Sequence, residues 1–473
     1  MAPTPFPEEW ADIGPAPDSH LFTRRPAARR GNGADDPHLR WYRQRVDAAT
    51  CTVTPVALAE LDRWGFEERT GNLVHELGHF FSVEGVRLDT GEAIHERPII
   101  HQPEIGILGF LVKLVDGQPH CLVQAKMEPG NLNTVQLSPT VQATRSNHTR
   151  QHKGRATRYI DYFTGRAAGR VLVDVLQSEQ GSWFWHKRNR NMVVEPLDEV
   201  ELHEDFRWMP LTSLLSSLRI DHTVNMDART VLACMPFRSA PVADGVVGDP
   251  FVSALARSYS DPGPCPEAEV LSWLTGARAA NTWRARPVPL ADLRGWRRDE
   301  DSLRDEAGQD FRIMAAQVDA KAREVTRWSQ PLLEPRGQGS AILVTRVVDG
   351  SLQLLVQARY EPGLMGNVEI GPTVQIPAGL DPAAPNGHVP YRAEALYPGS
   401  SVVRFDAVLS EEGGRFRHAD TRYRIVEARR PLPEPDPERF RWVTLDPLMR
   451  LLRHSNYVNI EARSLLACLH GLW

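Results

Sequence analysis

Cysteine is scarce: five in 473 residues (Cys51, Cys121, Cys234, Cys265, Cys468), an odd number with no Cys-x-x-Cys spacing. This argues against a disulfide framework or a zinc cluster and fits buried thiols in a reducing compartment. Long apolar runs are missing as well; none approaches the roughly 18 residues of a membrane helix. The first 36 residues are rich in Pro, Ala and Arg without a signal-type apolar core, so residues 1–37 read as a loose arm and the protein as cytoplasmic. Charge of one sign is not in excess: 55 Lys+Arg against 60 Asp+Glu gives −5, and no basic field points to nucleic acid. Lysine itself is rare, with 50 of the 55 basic residues being Arg, so Lys113, Lys126, Lys153, Lys187 and Lys321 stand out. No GxGxxG or GxxxxGK[ST] phosphate loop and no GxSxG elbow is present, which leaves a hydride-transfer cofactor, a P-loop ATPase and that class of hydrolase unsupported. What remains, 41% hydrophobic and 24% charged, is the composition of a globular protein of two to four domains.

The chain contains itself twice. Leu122–Gln142 reads LVQAKMEPGNLNTVQLSPTVQ and Leu355–Gln375 reads LVQARYEPGLMGNVEIGPTVQ, with 12 of 21 positions identical at an offset of 233. Phe184, His186, Arg190 and Glu195 recur 232 later as Phe416, His418, Arg422 and Glu427, and Asn225 and Arg229 recur 234 later as Asn459 and Arg463. Two modules, 38–236 and 270–473, are therefore predicted, with 237–269 as a Pro- and Gly-bearing linker. Within the first module the pattern predicts a Trp-bearing helix, a second helix near Val56–Trp64, and strands near Ile107–Val115, His120–Lys126, Val135–Gln142, Val171–Leu176, Trp183–Arg188 and Met192–Val194. Val115-Asp-Gly117 reads as a hairpin turn, and helices near Leu211–Arg219 and Asn225–Ala233 close the module. The fold class is α+β, a mixed sheet flanked by helices, duplicated in tandem.

Shared apolar positions read as core; the differing ones carry the functional contrast. Thr144-Arg145-Ser-Asn-His-Thr-Arg-Gln-His-Lys153 is polar and basic where the second copy has a Pro/Ala spacer, Pro377–Pro385. In Trp183–Asn191 the strand alternation places Phe184, His186, Arg188 and Arg190 on one face and Trp185, Lys187, Asn189 and Asn191 on the other. Basic, amide and aromatic groups side by side suit a phosphate ester on a flat base; a solvated strand face is the alternative. His75-Glu-Leu-Gly-His79 matches HExxH, the spacing of a helical zinc site, but a strand-like Phe80–Gly85 follows it. His75 and His79 read instead as acid/base or structural residues.

These blocks resemble the NDP-hexose 2,3-dehydratases of deoxysugar biosynthesis: GNLVHELGHFFSVEG (71–85), QPEIGILG (102–109), QAKMEPGNLNTVQLSPTVQATRSN (124–147), EQGSWFWHKRNRNMVVE (179–195) and VNMDARTVLA (224–233). The resemblance spans essentially the whole chain. It implies two Nudix-like modules lacking the metal-binding Nudix box, a homodimer, and an active first module beside a degenerate second one. It implies a dTDP-linked 4-keto-6-deoxyhexose as substrate, no cofactor or metal, and a downstream 3-ketoreductase acting on the product. The chemistry so implied is loss of water across carbons 2 and 3, giving a 3,4-diketo-2,6-dideoxy sugar, as in antibiotic biosynthesis. A base takes the C3 proton acidified by the C4 ketone, donors hold the enolate, and an acid assists the C2 hydroxyl.

Lys126 and Glu128, two apart, are read as enolate stabiliser and acid/base, or as a simple ion pair, with Glu104, His75 and His79 as rival acid/base groups. Lys187, Arg188, Arg190 and Arg145 are read as diphosphate contacts, Trp183 or Trp185 as a base-stacking ring, and Gln124, Gln136, Gln142, Thr144, Asn189 and Asn191 as sugar or base contacts. Two other readings stay open: a dTDP-sugar-binding protein without turnover, and an HExxH zinc peptidase.

Overall fold

A computed structural model describes residues 22–24, 36–78, 80–144, 157–239, 249–320, 326–378, 391 and 401–472. It is α+β and strand-rich, with eight α-helices among the described residues. In the first half a mixed sheet runs in the order Gly169–Ser178, Arg188–Pro196, Gly106–Val115, Gln118–Met127, Phe206–Pro210. The second half repeats it as Ser401–Ser410, Asp420–Ala428, Gly339–Val348, Ser351–Tyr360, Phe440–Val443. The hairpin signals hold for a local reason. Asp116 (φ 50°) and Gly117 (φ 71°), like Asp349 and Gly350, take the left-handed pair that a two-residue turn between twisted strands requires.

A second sheet in each half is completed by the other half. Strand Cys51–Val56 pairs antiparallel with Arg312–Ala320, Val53 opposite Val318, whereas Arg284–Val288 pairs with Ser82–Asp89, Arg286 opposite Arg87. The two copies have thus exchanged one strand each within a single chain. Helices Met226–Ala233 and Ile460–His470 pack on each other at the centre, and the largest apolar cluster draws on both halves. Between these helices lie two fully buried arginines. Arg229 donates to Ser464 Oγ (3.2 Å), Val224 O (2.9 Å) and Ser410 O (2.9 Å); Arg463 donates to Thr230 Oγ1 (2.8 Å), Val458 O and Ser178 O. Each guanidinium reaches a carbonyl of the opposite half, so the two halves share one polar seam.

Several expectations are corrected. Val56–Trp64 is not a helix: strand Cys51–Val56, a single 3₁₀ turn Leu58–Glu60 and strand Trp64–Phe66 occupy it. Pro55 has no N–H for a helix, and the β-branched Thr52, Val53, Thr54 and Val56 favour a ladder. Val135–Gln142 is two strands, Val135–Ser138 and Val141–Ala143, pairing with different neighbours across Pro139-Thr140. Trp183–Arg188 is not one strand: only Phe184–Trp185 is, and His186 at φ 51° turns the chain before Arg188–Pro196 begins. The segment read as linker carries helix Pro250–Ser258. Asp249 caps it, and Ser258 Oγ donates to Leu352 O (2.6 Å), seating the helix on the second half's sheet. No described helix is long and apolar enough to cross a membrane.

Candidate functional site

The site is built where the Glu-Pro-Gly turn after Gln118–Met127 meets a loop of the opposite half. Gly130 N donates to Gly413 O (2.7 Å) and accepts at its carbonyl from His418 N (2.7 Å). Gly363 N donates to Gly181 O (2.8 Å) and Gly363 O accepts from His186 N (2.8 Å). A Cβ on Gly130 would lie 1.7 Å from Phe416 O, and one on Gly363 1.8 Å from Phe184 O. The glycine shared by both copies is therefore fixed by close approach of the other half's backbone.

Behind each turn runs the same polar relay. Asn225 caps helix Met226–Ala233 through Ala228 N (2.8 Å) and donates to Gln142 Oε1 (3.1 Å); Gln142 Nε2 donates to Glu128 Oε1 (2.7 Å). Asn459, Gln375 and Glu361 repeat it at 2.9 and 2.8 Å. The relay holds a carboxylate in place in both copies and so is structural in itself.

The copies part company around the relay. In the first, Lys126 Nζ donates to Gln142 O (2.9 Å), and Glu128 also accepts from Asn131 (3.3 Å). Lys187, 5% exposed, donates to Glu104 O, and Asn189 bridges Glu179 Oε1 (2.6 Å) and Gly106 N (3.1 Å). Glu179, Asp227 and, from the opposite half, Glu412 and Arg415 face the same cluster. The matching positions at the second site are Arg359, Ala419, Thr421, Glu411 and Glu461, with Gln180 and Trp183 of the first half standing for Glu412 and Arg415. Burial, and then the charge of Glu412, pushes the Glu179 carboxyl up to about 8. Burial likewise raises Asp227 and Glu412, helped by neighbouring carboxylates and opposed at Glu412 by Arg415, while burial lowers Lys187. Glu179 Oε2, Asp227 Oδ1 and Glu412 Oε2 are closed off from solvent without a hydrogen bond. A buried set of carboxyls whose protons are held more tightly than usual, beside two amines, is equipped for proton transfer and for holding an oxyanion.

The residues singled out in the sequence are placed differently. Lys126, Glu128, Gln142, Lys187, Asn189 and Glu104 come together in the cluster. Gln136 is locked by Asn133 Oδ1 (3.0 Å) and Ser410 Oγ (2.9 Å), and Asn191 by Asn189 O (3.1 Å), both fully buried. Arg190 grips Asp174 (2.6 Å), as Arg422 grips Asp406 (2.7 Å), so that pair is common to both copies. Trp183 packs edge-on against Phe416 (4.6 Å) as a wedge between the halves, and Trp185 stacks on His186 (4.1 Å). Gln124 sits in the sheet opposite Ser138 and Phe206, and half-buried Arg188 pairs with Ser178; Thr144 is the last described residue before 145–156.

His75 lies in the other sheet, against Trp64 (5.2 Å) and Phe80 (4.4 Å). Leu73–His75 is a strand and a turn follows, so Glu76 lacks the helical placement that a zinc peptidase requires. His79 and Arg145 lie outside the described residues. Two cavities of about 240 and 170 Å³ lie elsewhere, one beside Cys265, Arg346 and Trp442, the other beside Val173, Met449 and Arg453. The chemistry-bearing groups, not the cavities, mark the site.

Sequence reasoning missed Glu179, Asp227, Glu412 and Arg415. A signal was present for Glu179 and Glu412: Glu179-Gln-Gly and Glu411-Glu-Gly are aligned copies differing at the middle residue.

The family model for NDP-hexose 2,3-dehydratase matches residues 35–235 and again 267–469. A dTDP-4-dehydro-6-deoxy-α-D-glucopyranose 2,3-dehydratase of Saccharopolyspora spinosa is 46% identical over 442 residues, 92% of this chain and 90% of its own length. One from Streptomyces violaceoruber is 45% identical over 439 residues (91% and 96%), and one from Amycolatopsis orientalis 42% over 440 (91% and 89%).

Proposed function

The chain belongs to the NDP-hexose 2,3-dehydratase family, and on that premise we infer that it removes water across carbons 2 and 3 of a dTDP-linked 4-keto-6-deoxyglucose. The observation that carries this reading is similarity to three enzymes of that one name along more than nine-tenths of the chain. Each half is a Nudix-like module, the working unit is a homodimer in the cytoplasm, and a ketoreductase takes up the dicarbonyl product for deoxysugar and antibiotic assembly.

The cluster suits the steps. Glu128, held from one side by Gln142 and Asn131, takes the C3 proton, and Lys126 offers N–H donors to the developing enolate oxygen. Glu179 enters protonated and delivers its proton as the C2 hydroxyl departs as water. The remaining enol loses its O–H proton and gains one at carbon 2. The two protons released by the sugar thus balance the two consumed, and no electron acceptor is needed. Lys187 and Arg188 supply cationic contacts to the diphosphate, a role the sequence also assigns to Arg145.

The test is turnover of dTDP-4-keto-6-deoxyglucose, with the dicarbonyl trapped by an aromatic diamine as a quinoxaline. Product formation is expected from the intact chain, with loss of about 10²-fold or more in Lys126→Met and Glu128→Gln at retained dTDP affinity. dTDP binding without trapped product would reduce the protein to a binder, and full turnover in both variants would remove the pair from the mechanism.

A further inference from the structure

The second half is read from its sequence as a degenerate copy; Glu411 stays at its own site, but the loop that follows it, Glu412–Phe416, serves the other one. It is clamped onto the first half's turn by the Gly130–Gly413 and His418–Gly130 backbone bonds. A Cβ on Gly414 would lie 3.4 Å from Glu412 Oε1 and 3.8 Å from Glu128 Oε1, so the two carboxyls flank a glycine at the first site. Arg415 turns the same way, its Nε donating to Gln102 Oε1 (3.1 Å), and Gln330 Nε2 pins Gly414 O (2.8 Å).

The pseudo-equivalent contact shows what the sequence difference means. At the second site Gln180, from the first half, donates its amide proton to Glu411 Oε2 (2.9 Å). At the first site the corresponding pair is Glu412 and Glu179, two carboxyls where the other site has an amide and a carboxyl. An amide always has a proton to give; a second carboxyl has one only when protonated. We propose that Glu412 is a working residue of the first half's active site, sharing one proton with Glu179 across the boundary between the copies. The second half has then been retained as the donor of an acidic wall, whatever its own site does. The groups facing Glu412 are Lys126 and Glu128 from the turn, Glu179 and Lys187 from the segment before Arg188–Pro196, Asp227 from helix Met226–Ala233, and Arg415 on its own loop. Removing its negative charge eases ionisation of Glu179.

This inference rests on the dehydratase reading, so trapped product from the unaltered chain is measured first; its absence would count against that reading, not against the placement of Glu412. Given turnover, the full-length Glu412→Gln variant converts the first site to the pairing already seen at the second, which the same fold accommodates. The expected result is a fall in kcat of tenfold or more with dTDP affinity within twofold. The alkaline limb of the pH–rate profile should also move to lower pH. Turnover within twofold, or a fall with the limb unmoved, would overturn the proposal. Should Glu412→Gln fail to fold, Glu412→Asp carries the test, because it withdraws the carboxyl from Glu179 and keeps the charge on the loop. A reduced kcat with a displaced limb supports the shared proton, and an unchanged profile refutes it.

Discussion

Glu179 is asked to be acidic enough to give up a proton and buried enough to keep it until then. Its exposure is 2%, its carboxyl accepts from Asn189, and Glu412 lies across from it. The same environment sets a stability signature. A carboxyl raised in the folded state from an ordinary 4.5 to about 8 favours folding fully below pH 4.5, and that contribution drains away as pH rises through 8. Thermal unfolding of the intact protein is thus expected to move to lower temperature between about pH 4.5 and 8. In Glu179→Gln, which keeps an uncharged side chain of the same shape, that slope should flatten while kcat drops about 10²-fold. A variant with the original slope would show that Glu179 is ionised in the fold already, and its place as the acid would be lost.

At the scale of elements, the glycines of the two Glu-Pro-Gly turns separate structural from functional identity. Gly130→Ala and Gly363→Ala each push a methyl into a carbonyl of the other half, and each is expected to cost about 3 kcal/mol or more in chemical denaturation. Gly276→Ala, in helix Glu267–Ala280 with nothing within 4 Å of the new methyl, should instead stabilise by up to about 1 kcal/mol. If the turn variants were as harmless as Gly276→Ala, the interlock would not be a source of stability. The turns were legible in the sequence as identical text, but their reason was not, since the atom that excludes a side chain belongs to the other half, Phe416 O for Gly130 and Phe184 O for Gly363. The hairpins at Asp116-Gly117 and Asp349-Gly350 were legible because two adjacent residues decide them. The helix expected near Val56–Trp64 was a misreading because the strand that ends at Val56, Cys51–Val56, finds its ladder partner, Arg312–Ala320, in the other copy, and no local pattern names a distant partner.

For the whole molecule, duplication was readable because each copy keeps the same run of residues at a near-constant offset, and the chemistry was readable only as far as each copy was compared with its own site. Lys126, Lys187 and Asn189 emerged that way, being native to the half they serve. Glu412 and Arg415 did not, because the contact they make crosses the boundary. The exchanged strands make the same point in the backbone: Cys51–Val56 finishes the second half's sheet and Arg284–Val288 the first's. A chain cut in two at 248/249 would leave both sheets with open edges, the helix pair Met226–Ala233 and Ile460–His470 parted, and the apolar cluster that spans both halves in water. The piece 1–248, although it carries Lys126, Glu128 and Glu179, is expected to be insoluble or inactive alone. Co-expressed with 249–473, the pieces should copurify as a non-covalent pair and regain water loss, and the regained activity should vanish when the second piece carries Glu412→Gln. Turnover by 1–248 on its own would mean that the first module is self-sufficient and that the wall supplied by its twin plays no part in the reaction.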